Sequence, residues 1–268
     1  MLLACLFAFA GSKAPIPTGT PWPTPVPIAV EDGTTVAADW ALPANATNAV
    51  VLVHMNGRNR QDWNAIASTL ARSGVGVVTL DLRKHGANVV AGSGGEVTPA
   101  DYLDMLKDVR AAVQFIEGKG VERVILVGAE VGANLAVNVA TEDPKVVGLA
   151  LLSPGLDYKG IIAADAVTRY GNRALLIVVS NEDAYAAKSA LVLDGTAKGE
   201  HEIHVLENAG KGTKMFNREP ALEGFVVGWI STHWKAGVAA RATPTTVDIP
   251  VEGSTVKTTG PSLITPSP

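Results

Sequence analysis

The stretch VILVGAEVGANLA, Val124 to Ala136, concentrates the clearest chemical potential of the chain. An apolar strand, Val124-Ile125-Leu126-Val127, runs into Gly128-Ala129-Glu130-Val131-Gly132, and a small-residue helix begins at once. A sharp strand-to-helix turn of this kind lifts its central side chain clear of the sheet, where a serine would serve as a nucleophile. Here the central side chain is Glu130. A carboxylate needs no deprotonation before it attacks, so the first step of a covalent hydrolysis is open to it. The second step, release of the covalent ester, needs a general base to activate water. Glutamate is also one methylene longer than aspartate, which shifts its oxygens relative to any amide donors behind it.

Few other side chains compete for that chemistry. Ser153 and Ser180 follow apolar runs, and strand-end hydrogen bonding is the simpler role for both. Of the five histidines, His54 and His85 follow buried runs, His201 and His204 share one run, and His233 closes the last helix as a surface or interface residue. The single cysteine, Cys5, leaves no intrachain disulfide and no zinc cluster of cysteines. No cofactor motif stands out.

Regular alternation must position these residues. Ile28–Val30 and Thr35–Ala41, joined at Asp32-Gly33, read as a β-hairpin. Continuous apolar runs at Val50–His54, Gly76–Leu82, Val124–Val127, Gly148–Leu152 and Leu175–Val179 read as buried strands, with Glu202–Leu206 as the last. Between them, Asp62–Arg72, Pro99–Glu117 and Ala187–Leu193 have helical spacing, and Pro220–Trp234 is an amphipathic terminal helix. Strand alternating with helix implies a mostly parallel, doubly wound α/β sheet covered on both faces. With 268 residues, 47% hydrophobic content and 27 glycines, the chain has material for a sizeable core with tight loops. A formal net charge of -4 and scattered lysines and arginines give no electrostatic case for nucleic acid.

The two ends differ in composition from the middle. Residues 11–27 and 238–268 are rich in Pro, Thr and Ser, and are expected to be a linker and a disordered tail around a domain at 28–237. Met1-Leu2-Leu3-Ala4-Cys5, within the apolar segment 1–10, resembles the lipobox of bacterial lipoproteins, in which the cysteine is lipidated. Ala8-Phe9-Ala10 alternatively reads as a signal-peptide cleavage site. Either reading points to an extracytoplasmic protein, the first with membrane attachment through Cys5. A cytoplasmic protein with an apolar N-terminus is the alternative.

Taken in order, several separate stretches carry a resemblance. Val51-Leu52-Val53-His54-Met55-Asn56-Gly57, Leu80-Asp81-Leu82-Arg83-Lys84-His85-Gly86, the Glu130 turn, Leu152-Ser153-Pro154-Gly155, Ser180-Asn181-Glu182-Asp183 and Asn208-Ala209-Gly210-Lys211-Gly212-Thr213 resemble the α/β-hydrolase family, in particular compact bacterial esterases related to dienelactone hydrolases. Only Leu156 to Arg173 separates the strands between which a cap is inserted in larger members, so none is expected.

The resemblance implies a catalytic serine, acid and histidine in that chain order. At those positions this sequence has Glu130, Asp183 and Lys211, so only the acid keeps its type. It also implies an oxyanion hole from the Val131 amide with a loop amide at Met55 or Asn56, an elbow shaped by Gly128 and Gly132, and a glycine where Lys84 stands. Glu130 and Lys211 are expected to form an ion pair, with Asp183 on the other side of the ammonium. A metal site on Glu130 and Asp183 is disfavoured, since Lys211 competes for the same carboxylates. Two function classes follow. One is a non-catalytic binding or structural protein with an unknown small-molecule or protein partner. The other is a carboxylic-ester hydrolase with an atypical centre.

Overall fold

The computed structural model describes residues 19–89, 96–234, 247–251 and 254–258. The lipobox-like segment 1–10 with Cys5, residues 11–18 of the expected linker, and much of the expected tail lie outside the described residues. Eight strands form one sheet. An antiparallel hairpin, β1 (Thr20–Ala29) and β2 (Thr35–Leu42), sits at one edge. Parallel strands follow as β3 (Asn48–Val53), β4 (Gly76–Leu80), β5 (Arg123–Ala129) and β6 (Val146–Leu152). After a two-stranded excursion, β7 (Asp157–Tyr158) with β8 (Ile161–Ile162), come β9 (Ala174–Ser180) and β10 (His201–Leu206). The spatial order is β1-β2-β4-β3-β5-β6-β9-β10.

The helices are α1 (Asn64–Arg72), α2 (Pro99–Glu117), α3 (Val131–Ala140), α4 (Ala164–Tyr170), α5 (Ala184–Thr196), α6 (Met215–Arg218) and α7 (Ala221–Thr232). Neighbouring residues of one strand point to opposite faces. In β5, Val124 and Leu126 enter the core under α2, α3, α4 and α5, whereas Ile125 and Val127 enter the core under α1, α6 and α7. Both faces are covered, which is why the inner parallel strands are largely apolar runs, whereas the edge strand β10 (HEIHVL) is only partly buried. This is the α/β-hydrolase architecture, and only β7, β8 and α4 lie between β6 and β9, so no cap domain is inserted.

The domain starts earlier than composition indicates. Residues 20–27, expected in the linker, form most of β1, and the boundary expected at residue 28 moves accordingly. Pro21, Pro23, Pro25 and Pro27 alternate with Trp22, Thr24, Val26 and Ile28, and all four prolines lie on the exposed side. Backbone N–H directions also alternate along a strand, so the missing donors share one edge. As β1 pairs only with β2, that edge is the free one, where proline is tolerated. At the other end, β11 (Val247–Val251) and β12 (Ser254–Thr258) pair antiparallel in a small sheet of their own, within the segment expected to be structureless.

The strand order fixes where a ligand can sit. From β3 the chain crosses through α1 to β4 on one side, and β5 lies on the other side of β3. Loops leaving β3 and β5 therefore diverge at their carboxyl ends, which opens the crevice used by ligands in open α/β sheets. Among the described residues no helix is long and apolar enough to cross a membrane.

Candidate functional site

Glu130 stands at the carboxyl end of β5, beside that crevice. Its backbone has φ 52° and ψ −118°, a conformation that costs a non-glycine residue about 1–3 kcal/mol. The surroundings hold it there. Its N–H donates to Leu152 O at 2.8 Å, and its carbonyl accepts from Ala133 and Asn134 in the first turn of α3. The flanking glycines are dictated by contact: a Cβ on Gly128 would lie 2.2 Å from Gly132 O, and one on Gly132 would lie 2.5 Å from His54 O. These approaches seat α3 directly on β5 and β3, which makes the turn sharp. Three other non-glycine residues with positive φ, Lys84, Ser153 and Asn208, also follow strand carboxyl ends. For Lys84, the φ of 58° explains why the resemblance implies glycine there.

The Glu130 residue is 6% exposed, and its Oε1 lies 2.5 Å from Lys211 Nζ. The Lys211 side chain is 47% exposed, so this ion pair has one buried and one solvated partner. The hydrogen bond to Glu130 raises the Lys211 ammonium above its ordinary pKa, with Asp183 adding a smaller push in the same direction.

Asp183 departs from expectation. It makes no ion pair with Lys211; its Oδ1 accepts from Ala186 N–H at 3.2 Å and caps α5. A carboxylate at a helix N-terminus is drawn to the unpaired amides of the first turn, and this outweighs a reach toward the lysine. Its Oδ2 is buried with no hydrogen-bond partner among the described residues.

The loop carrying Lys211 is held by the two strand-end serines. Ser180 Oγ accepts from Ala209 N–H at 2.9 Å, and the buried Ser153 Oγ accepts from Gly212 N–H at 2.8 Å. Thr213 Oγ1 donates to Asp62, which also pairs with Arg58. Neither serine is hydrogen-bonded to a histidine among the described residues.

On the β3 side, His54 is fully buried and supports the loop. Its Nδ1 donates to Met55 O at 2.8 Å, and its Nε2 accepts from Leu82 N–H at 3.0 Å. Burial pushes its pKa down to about 4. The side chain of Asn56, expected only as a source of a loop amide, has its own role: Oδ1 accepts from Tyr102 Oη at 3.0 Å and lies 3.1 Å from His85 Nε2. The N–H groups of Met55 and Asn56 make no backbone hydrogen bond to described residues, and Val131 N–H, first in α3, has no partner within its helix.

The remaining histidines lie away from Lys211's contacts. His201 pairs with Asp194, His204 stacks on Phe225, and His233 stacks on Trp229 rather than standing free at the surface.

Three tyrosines at the site were not foreseen. The hydroxyls of Tyr102 and Tyr158 are pushed up mainly by burial and further by the charge of Glu130, with Asp183 also acting on Tyr158. Tyr158 packs edge-to-face against Tyr185, with centroids 5.6 Å apart. The loop bearing Tyr158 is fastened by Asn134 of α3, whose side chain donates to Gly155 O and Ile161 O and accepts from Gly155 N–H. Two asparagines in a helix of otherwise small and apolar residues, Asn134 and Asn138, were the available signal, and Asn134 is the fully buried one.

Known structures share this arrangement of elements. The chain is similar to a dienelactone hydrolase from Anabaena variabilis ATCC 29413 (17% identity, 80% of this chain and 97% of that one, TM-score 0.66). It is also similar to esterase PF2001 of Pyrococcus furiosus (15% identity, 80% and 91% coverage, TM-score 0.62). A third similar structure is Est1E from Butyrivibrio proteoclasticus with ferulic acid bound (15%, 78% and 98%, TM-score 0.64). At these identities the likeness shows the fold. No curated protein matches the sequence. The family model described as serine aminopeptidase, S33, matches residues 44–209, from before β3 into the loop after β10. That span is more than half of the chain and includes both Glu130 and Asp183, so the protein belongs to this family of α/β hydrolases.

Proposed function

We propose that this protein uses the α/β-hydrolase scaffold to bind rather than to hydrolyse, with Glu130 and Lys211 in the places of nucleophile and base. The observation that carries this reading is the ion pair between them. A serine and histidine there would pass a proton between them, whereas the paired carboxylate and ammonium have no neutral base to offer. An acyl oxyanion beside the Val131 amide would also meet the Glu130 charge where it needs positive potential. Attack by Glu130 itself would end in a covalent ester with no histidine among its hydrogen-bond partners to activate water.

The test is hydrolysis of short activated acyl esters by the purified protein, beside a Glu130→Ser/Lys211→His double variant. A silent natural protein with turnover in the double variant is expected. Turnover by the natural protein that survives Glu130→Ala would instead support an ester hydrolase with another nucleophile. We further propose an extracytoplasmic location with anchoring through a lipidated Cys5, supported by the Leu2-Leu3-Ala4-Cys5 sequence. Lipid labelling of the full chain, abolished by Cys5→Ser, is the expected result; no labelling overturns it.

A further inference from the structure

The two edges of the eight-stranded sheet are finished differently. At β1 the free edge carries Pro21, Pro23, Pro25 and Pro27, and a proline lacks the N–H that another strand would need. At β10, His201-Glu202-Ile203-His204-Val205-Leu206, the edge has no proline, glycine or lysine, and the strand runs beside β9 without a bulge. Leu175 N–H donates to Glu200 O and Asn181 N–H donates to Leu206 O, so the even-numbered residues of this strand face β9. The N–H and C=O groups of His201, Ile203 and Val205 therefore point to the open side, where they have no hydrogen-bond partner among the described residues.

We propose that this open edge is the interface of a symmetric dimer, in which β10 pairs antiparallel with β10 of a second copy. A strand that meets itself must be self-complementary about a two-fold axis. Outward-facing residues must lie opposite one another, and the longest overlaps that allow this centre on Ile203 or His204. With the axis at His204, the two imidazoles face each other and Glu202 falls opposite Leu206. With the axis at Ile203, Glu202 of each copy lies opposite His204 of the other, and His201 of each lies opposite Val205. Charge selects the second register. Glu202 and His204 are half-buried and make no hydrogen bond or ion pair among the described residues; His204 only stacks on Phe225, with centroids 4.3 Å apart. Their neighbours are matched within the chain: His201 Nε2 lies 3.2 Å from Asp194, and His233 Nε2 lies 3.7 Å from Glu200. Side chains directly opposite on an antiparallel pair share one face, so the free carboxylate can accept from the free imidazole N–H. The product is one continuous sheet with eight strands from each copy. Because the joined strands run in opposite directions, the Lys211 loops that follow them lie at opposite ends of that sheet. The dimer does not depend on what happens at Glu130.

The test is sedimentation velocity of the full chain from low micromolar to near-millimolar concentration, with amide hydrogen exchange on the same samples. A dimer is expected, with slow exchange at the Ile203 and Val205 amides. Glu202→Lys should weaken it by at least about tenfold, because opposite-charge pairs on both sides of the axis become like-charge ones. Adding His204→Glu to that variant restores opposite charges across the axis and should recover the loss. Val205→Pro should also weaken the dimer by at least about tenfold, since it removes an outward N–H while leaving the pairing with β9 intact. Thermal melts report whether each variant is folded, and the mass and exchange pattern of the natural protein stand without any variant. A monomer at every concentration overturns the proposal, and slow exchange at those two amides in a monomer would assign the edge to another part of this chain. A dimer that folded Val205→Pro leaves unchanged overturns it as well, by placing the interface elsewhere. Failure of the charge swap to recover the dimer overturns the register about Ile203.

Discussion

Lys211 Nζ lies 2.5 Å from Oε1 of Glu130, although the two residues are 81 positions apart and their strands are not neighbours. β6 and β9 stand between β5 and β10 in the sheet, so the Lys211 loop must reach back across the ends of both. Each intervening strand end supplies one serine to hold it. Ser180, ending β9, takes the Ala209 amide, and Ser153, just past β6, takes the Gly212 amide. The ion pair is thus the last link in a chain of strand-end contacts that the parallel sheet makes available.

Removing one partner of the pair should cost more than removing both charges. Lys211→Ala leaves the buried Glu130 carboxylate without compensation. Loss of one partner of a fully buried pair costs about 3–5 kcal/mol, and the solvated lysine lowers this to about 1–3 kcal/mol. Glu130→Gln combined with Lys211→Met keeps the shapes and removes both charges, so its loss should be smaller. Urea unfolding of both proteins at neutral pH checks the order. A double variant less stable than Lys211→Ala would show that the two do not compensate each other.

The serine links admit a separate test. Ser153→Ala leaves the buried Gly212 N–H without its acceptor, which costs about 1–3 kcal/mol. Hydrogen exchange should locate the effect at Gly212 and its neighbours rather than across β6. If Ser153 acted as a nucleophile instead, the variant would lose ester turnover present in the natural protein.

The fold was legible because the inner parallel strands are apolar runs in a chain where strand and helix alternate, and Val124–Val127 or Leu175–Val179 admit little else. β1 was not, because prolines read as linker until their alternation with Trp22, Thr24, Val26 and Ile28 is set against a free sheet edge. At the site, the Glu130–Lys211 pair followed from the resemblance, which puts these residues where a serine and a histidine would be hydrogen-bond partners. The place of Asp183 did not, because the competition between a lysine and the α5 amides is decided over a few ångströms. Tyr158 was missed for a related reason. It comes from a short excursion after β6 whose path depends on the buried Asn134, and no periodicity marks such a path.

Gly128 and Gly132 should tolerate no side chain. A Cβ at either position would meet backbone atoms at 2.2 Å and 2.5 Å, and backbone cannot rotate away as a side chain can. Gly128→Ala or Gly132→Ala must push α3 off β5 or β3, and a loss above about 3 kcal/mol is expected. Thermal unfolding of either variant measures it. A near-normal melting temperature would mean that the elbow is not the close-packed turn described above.

Acid should weaken the protein through His54 before the carboxylates titrate. Burial holds this imidazole's pKa down at about 4, against an ordinary value of 6.5. Between those values the unfolded chain binds the proton and the folded one does not. Stability contributed by neutral His54 is therefore complete above about pH 6.5 and is lost as the pH falls toward 4, by about 3 kcal/mol in all. The geometry gives the same sign, because a proton on Nε2 removes the acceptor that Leu82 N–H uses. Urea midpoints measured from pH 7 to pH 4.5 should fall steeply in the natural protein. His54→Asn, less stable at pH 7, should show a much flatter decline over the same range. Parallel curves for the two proteins would assign the acid sensitivity to other groups.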